Sequence, residues 1–323
     1  MSKSVAKSRA DPTKWATGLE SLRLQKPDWV FFEGEVRPWE EAVLHVSTEA
    51  VVRGLNVFEG LKGYWQPDGR FGFVHLARHY VRLSRSASLL YIPVTFSYEE
   101  FENACFDLTR ALYRPDKDLY IRATLFVVEG HYGANTRADL VLTGYQQAKE
   151  PPAPITMGVS TWRRAPDVAM PPRIKTGANY QVARLARIEG RSRGYEDMIL
   201  LNEYGRVAES TAACVLMVRD GRVCTPPPSE GAMESITADV LSEIGASLGI
   251  EFVRRPIERT ELYIADELGL TGTLTEITLV PALDERPFPA ETPVLSKLAD
   301  RYRDAVTGTE PHPAVELSMV PRP

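Results

Sequence analysis

The chain has 323 residues, 44% apolar and 25% charged, enough for one large domain or two moderate ones with substantial cores. Its formal net charge of −5 excludes the broad basic stripe of a nucleic-acid binder but leaves room for a local basic pocket. Three widely spaced cysteines, Cys105, Cys214 and Cys224, form no Cys-x-x-Cys and no paired framework, so a reduced, cytoplasmic setting is expected.

The opening "MSKSVAKSRADPTKW" lacks the apolar centre of a secretory signal. Residues 1–27 are expected as a partly flexible basic extension. No uncharged apolar run approaches the ~18 residues of a membrane span. The stretch "DWVFFEGEVRPWEEAVLHV" reads as a hairpin followed by a loop. Two strands then meet at Pro67-Asp68-Gly69, a turn sequence. In "HLARHYVRLSRSASLL", Leu76, Tyr80, Leu83, Ala87 and Leu90 fall near one helical face. A second helix is opened by Ser97, with Glu100 completing a capping box.

Polar, then Pro-rich, "QQAKEPPAP" separates two apolar regions. It predicts a linker at residues 146–154 between a small domain, 28–145, and a larger one, 155–323. The second region starts with a strand, then a helix from about Asn179 to Arg193. Successive strands follow, with turns near Tyr204-Gly205 and Asp220-Gly221. "SITADVLSEIGASLG" is an amphipathic helix, capped by Ser235, ended by Gly249, and buried through Ile236, Val240, Leu241, Ile244 and Leu248. "ELYIADELGLTGTLTEITLVPAL" reads as helix, turn, strand. Strict strand–helix alternation is absent, so the fold class is α+β.

Dinucleotide-binding, Walker and nucleophile-elbow motifs are missing. His75 and His79 have helical spacing but lack the glutamate of a zinc protease, and no metal site is expected. What remains is a dispersed set. Lys175, in "RIKTGANY", precedes a helix and sits among small and apolar residues. Glu209 interrupts an apolar run. Ile236 and Thr237 open a helix whose free N–H groups can hold a phosphate. Thr273 lies in a glycine-containing turn, and Arg82 adds a cation. An amine, a carboxylate and a phosphate cup are the needs of pyridoxal 5'-phosphate.

The ordered segments "VFEGLKGY", "HLARHYVRL", "YIRATLF", "RIKTGANY", "GYEDMILLNEYGRVAES", "SITADV" and "ELYIADELGLTGTLTEIT" give the same answer independently. Over about residues 28–300 the sequence resembles the class IV (fold-type IV) pyridoxal-phosphate aminotransferases, most closely the branched-chain amino acid type. The resemblance implies a two-domain homodimer. Each chain would pair a small N-terminal α/β domain with a larger C-terminal domain carrying a barrel-like sheet. It also implies residue roles. Lys175 matches the lysine to which the cofactor is covalently attached, and Tyr180 the tyrosine on the ring oxygen. Glu209 matches the acid on the pyridine nitrogen. Arg82, Ile236, Thr237 and Thr273 match the phosphate ligands. Its substrates would be an amino acid and a 2-keto acid, with branched-chain L-amino acids and 2-oxoglutarate as the default pair.

For substrate binding, Tyr120 and Arg122 match the pair on the carboxylate side, Phe58 a pocket wall, and Lys62 a customary basic position. The match departs at Arg53, where an aromatic residue is usual. It departs again at Leu274 and Thr275, which replace two alanines, at Ser235, which replaces a glycine, and in "ESTAAC". Arg53 keeps open an (R)-amine or D-amino acid transaminase, or an aminodeoxychorismate lyase, on the same fold. A non-catalytic relative is a further alternative. His131, on a glycine-rich loop, is a candidate substrate contact, and Gly177 and Ala178 are expected to let the cofactor approach.

Overall fold

A computed structural model describes residues 26–133 and 135–321. Most of the expected N-terminal extension lies outside the described residues, as does the side chain of His131. The first half contains β1 (Trp29–Phe32), β2 (Glu35–Pro38), a short α1 (Glu49–Val52), β3 (Asn56–Trp65) and β4 (Phe71–Val74). These are followed by α2 (Leu76–Leu89), α3 (Tyr98–Leu112), β5 (Asp118–Glu129) and β6 (Arg137–Gln147). The second half runs β7 (Met157–Arg163), α4 (Tyr180–Ser192), β8 (Asp197–Leu201), β9 (Val207–Ser210), β10 (Cys214–Arg219) and β11 (Arg222–Thr225). It continues through α5 (Ile236–Ser247), β12 (Phe252–Arg254), β13 (Glu267–Gly272), β14 (Glu276–Leu279), β15 (Ala282–Leu283) and β16 (Arg286–Pro287). It ends with α6 (Pro293–Val306) and β17 (Leu317–Met319).

The first strands build a seven-stranded sheet in the order β17-β4-β3-β5-β6-β1-β2. Its two long central strands, β3 and β5, are antiparallel, with Gly60 opposite Arg122 and Lys62 opposite Tyr120. Two helices cover one face. Leu76, Leu83 and Ala87 of α2 and Phe101, Cys105 and Leu108 of α3 join Leu61, Phe73, Ile121 and Leu125 in one core. Ser97 forms the expected capping box, its hydroxyl accepting from the Glu100 N–H while Glu100 accepts from the Ser97 N–H. Two further residues of α2, His79 and Ser86, are buried among the apolar ones. Their polar atoms serve the site below.

Residues 148–156 contain neither helix nor strand. Beyond them lie two five-stranded sheets, β12-β11-β10-β13-β14 and β16-β15-β7-β8-β9. The expected barrel-like sheet is thus two open sheets, because the hydrogen-bonded ladders stop at β14, β12, β9 and β16 instead of joining. The α5 stripe packs as expected, with Val240, Leu241 and Ile244 fully buried against α6. Ser235 caps α5 and Gly249 follows it at φ +72°. The expected helix in "ELYIADELG" is a 3-10 segment, Arg259–Ile264, and Glu267–Gly272 that follows is a strand. Helix α6 and strand β17 were not read from the sequence. Strand β17 returns to the first sheet, with Ser318 opposite Phe73.

Candidate active site

The lysine-bearing loop is held from both sides by backbone hydrogen bonds. Phe58 N–H on β3 donates to the Lys175 carbonyl at 2.8 Å, and the Lys175 N–H donates to Ser86 Oγ on α2 at 3.1 Å. The Asn179 amide ties the same loop by donating to the carbonyls of Pro171 and Ile174. Gly177 has a role different from the one expected. A Cβ there would stand 3.3 Å from the Asn56 side chain, whose Oδ1 accepts the Gly177 N–H. Its smallness lets the loop approach β3, and neither Gly177 nor Ala178 walls the central cavity.

That cavity has a volume of about 330 Å³ and opens between the two halves of the chain. Lys175 Nζ enters it 3.0 Å from the Tyr180 hydroxyl. The amine also lies 5.1 Å from the centroid of the Phe58 ring. Burial opposes the ammonium form, but Tyr180 and the charge of Glu59 outweigh burial and Arg82, so Lys175 holds its proton above the ordinary lysine range. On another wall is Glu209, buried on β9. One of its oxygens pairs with Arg164 at 3.0 Å, and the other accepts the Met233 N–H at 3.0 Å. These partners balance its negative charge and fix its direction. Between Glu209 and the α5 start lie Cys214 and Met233. Burial, with the nearby Glu209, pushes the Cys214 thiol up to about 12, so it is an inert wall.

Arg82 and the N-terminus of α5 form an electropositive end of the cavity, suited to an anion. Ser235 Oγ accepts the Ala238 N–H at 3.1 Å, leaving the N–H groups of Ile236 and Thr237 without a helical acceptor. Arg82 Nη1 donates to the Glu234 carbonyl at 2.6 Å, fixing the guanidinium beside that helix start. Its other face meets Glu59, which accepts at 2.7 and 2.8 Å, while His79 Nδ1 lies 2.8 Å from the same carboxylate. Burial opposes charge on Glu59, but Arg82 and His79 outweigh it and hold its carboxyl well below the usual range. Thr273, Leu274 and Thr275, in the β13–β14 turn, close this end, with Leu274 45% exposed.

Phe58, Tyr120 and Arg122 form the remaining wall, the Arg122 guanidinium stacking 3.7 Å from the Phe58 ring centroid. Gly60 permits this, since a Cβ there would overlap the Tyr120 ring. Thus Lys175, Tyr180, Glu209, Arg82, Ile236, Thr237, Thr273, Phe58, Tyr120, Arg122 and Leu274 share one cavity. Arg53 and Lys62 are not among its walls. Arg53 ends α1, chelates Glu49 through two 2.9 Å hydrogen bonds, and lies 5.9 Å from the Tyr132 ring centroid. Lys62 shares the Phe58–Gly60 face of β3, as strand alternation requires. It nevertheless ends in a buried 2.5 Å ion pair with Glu276, behind Thr237 and Thr273. Sequence reasoning missed Glu59, Arg164, Arg187 and Met233. Glu59 did leave a signal, a lone acid in an otherwise apolar stretch of strand.

An amine, a buried carboxylate and a cationic cup with free backbone donors fit a phosphorylated, ring-bearing carbonyl cofactor. Fold and site together define an α+β protein with a lysine-centred cavity that is electropositive at one end. A family profile described as amino-transferase class IV matches residues 56–283, and the chain belongs to that family. It is 32% identical over 293 residues to a probable branched-chain-amino-acid aminotransferase of Aquifex aeolicus, covering 87% of this chain and 93% of the relative. Among solved structures it is similar to the branched-chain amino acid aminotransferase of Thermobaculum terrenum in its PLP form. The TM-score is 0.82 at 32% identity, covering 93% and 100% of the two chains. The branched-chain aminotransferase of Thermoproteus uzoniensis, solved with norvaline, matches at TM-score 0.84 and 30% identity, covering 91% and 99%.

Proposed function

We propose that the chain is a pyridoxal-phosphate-dependent transaminase that exchanges the amino group of branched-chain L-amino acids with 2-oxoglutarate, working as a cytoplasmic homodimer. The observation that carries this reading is the convergence of Lys175, Glu209 and the Arg82–α5 anion cup on one cavity. The names of the relatives support the substrate class. Arg82, Ile236, Thr237 and Thr273 would hold the phosphate, Glu209 the ring nitrogen, and Tyr180 the ring oxygen. When bound, the cofactor supplies an electron sink for the substrate Cα electrons.

The protein's own residues supply the rest. Lys175 Nζ is the covalent anchor. When free, that amine would be a positioned base able to take the proton from the substrate Cα and hold it on Nζ for return. Tyr180, at 3.0 Å, keeps that amine aimed. Arg164 and the Met233 N–H aim Glu209, so that it can stabilise a protonated ring nitrogen. Phe58, Tyr120, Arg122 and Leu274 form the substrate wall, with Arg122 the cation for a carboxylate.

Two measurements test this. A donor panel of L-amino acids, D-amino acids and (R)- and (S)-amines, against 2-oxoglutarate and pyruvate, should place leucine, isoleucine and valine first. A panel led by D-amino acids or (R)-amines would overturn the substrate assignment. Because Lys175 holds its proton, capture of the aldehyde cofactor by cofactor-free protein should accelerate about tenfold per pH unit from about pH 7 to 9. Absorbance of the bound cofactor reads that rate, and a pH-independent rate would contradict the protonated resting amine.

A further inference from the structure

The hairpin that closes the electropositive end of the cavity turns in three residues. Gly272 of β13 lies opposite Glu276 of β14, leaving Thr273, Leu274 and Thr275 as the loop. A hairpin loop of this length commonly closes on a residue in the left-handed conformation, which glycine or asparagine adopts most readily. Here that residue is Glu276, at φ +49° and only 3% exposed. A residue with a Cβ stays in that conformation, away from solvent, where its surroundings overdetermine it.

The surroundings of Glu276 do so. Its Oε1 accepts from Lys62 Nζ at 2.5 Å and from the Tyr64 hydroxyl at 2.9 Å, both on β3 of the first sheet. Its Oε2 accepts from Arg303 Nη1 of α6 at 3.3 Å. Its carbonyl accepts from Thr271 Oγ1 at 2.8 Å, and Thr278 Oγ1 donates to the Thr275 carbonyl at 3.0 Å. One carboxylate thus ties the turn to both halves of the chain. Thr273 and Thr237 wall the central cavity on one side and, on the other, a space of about 10 Å³ shared with Lys62 and Tyr64. The ion pair therefore stands behind the two threonines of the cup. Lys62 shares a strand face with Phe58 and Gly60, so the same bonds set the spacing between the turn and the opposite wall. A buried pair of this kind adds little stability over an apolar pair of equal size, and what distinguishes it is direction.

We propose that Glu276, through Lys62, Tyr64 and Arg303, is the positioning residue of this turn, holding Thr273 at the phosphate end and Leu274 at the substrate wall. Glu276 is not among the walls of the central cavity, so it acts through the turn. The inference rests on the transaminase reading and names the group that keeps the two ends of its site in register.

The test follows release of the cofactor from diluted holoenzyme by absorbance. Glu276→Ala would strand the Lys62 ammonium, so the main variant is Lys62→Met/Glu276→Gln, which leaves neither partner of the pair charged. It should remain folded by circular dichroism yet release the cofactor at least about tenfold faster, with the amino-acid KM rising by a larger factor than kcat falls. Glu276→Gln alone keeps an acceptor for Lys62 and Tyr64 and should speed release by about threefold. That near-isosteric variant carries the same test if the double variant does not fold. Thr273→Val should speed release about tenfold in the parent but less than about threefold in the double variant, because the hydroxyl there is already out of place. A merely structural role would lower stability, leave release unchanged and let the effects of the substitutions multiply. Unchanged release in the folded variants, or effects of Thr273→Val that multiply with theirs, would overturn the proposal. A parent that takes up no pyridoxal phosphate would overturn the transaminase reading instead. Calorimetric titration of parent and variants with inorganic phosphate would then decide: weaker binding in the variants upholds the positioning role, and equal binding refutes it.

Discussion

Lys175→Ala is expected to lower transamination by at least about 10³-fold, because one substitution removes both the proposed covalent anchor and the proposed base for the Cα proton. The loop should keep its shape. It is fixed by main-chain bonds from Phe58 and to Ser86 and by the Asn179 amide, none of which involves the lysine amine. The folded variant should therefore still bind the phosphate group through Arg82 and α5 while losing the covalent chromophore. Stopped-flow and absorbance measurements on one preparation separate the two effects. Turnover within about tenfold of the parent would refute the role of Lys175.

The second large effect concerns stability. Glu59 is wholly buried and satisfies both Arg82 and His79. Glu59→Ala strands the Arg82 guanidinium beside the anion cup without its counter-charge, and should cost about 3–5 kcal/mol. Chemical denaturation reads this loss. Glu59→Gln, which keeps the shape and some hydrogen bonds, should cost less. A loss below about 1 kcal/mol in the alanine variant would show that solvent or the anion cup compensates Arg82. The pH dependence follows from the same cluster. Glu59 is depressed in the folded state, so its contribution is complete above the ordinary carboxylate value of 4.5 and is lost as pH falls below it. His79 is pushed down chiefly by burial, so the unfolded chain takes up its proton first. Stability from this residue declines as pH falls below 6.5. Glu59→Ala should flatten the acid limb of the stability profile.

How much of this was legible in the sequence varies by residue, and the reason is the range of the interaction. Ser97 and Ser235 were legible as caps because an N-cap acts within three residues. The stripes of α2 and α5 were legible because helical period alone decides which side chains share a face. Lys175, Tyr180 and Glu209 emerged from a local pattern, strengthened by an ordered family resemblance. Lys62 shows the limit. Strand alternation places it beside Phe58 and Gly60, yet Glu276, 214 residues on, draws its amine behind the cup instead of into the cavity. Arg53 is likewise engaged by Glu49 one helical turn away.

The sequence by itself determined the α+β class and the capped helices, and it singled out the lysine, carboxylate and helix start on which the proposed chemistry rests. The class and the caps follow from local propensity and periodicity; the site residues follow from residue chemistry together with the family resemblance. Only the tertiary structure decided that Glu59 joins Arg82 to His79, that Arg164 pairs with Glu209, and that Arg187 reaches the wall of the central cavity. Each of those depends on which strands and helices meet, and charge pairing between distant segments is set by packing, not by spacing along the chain.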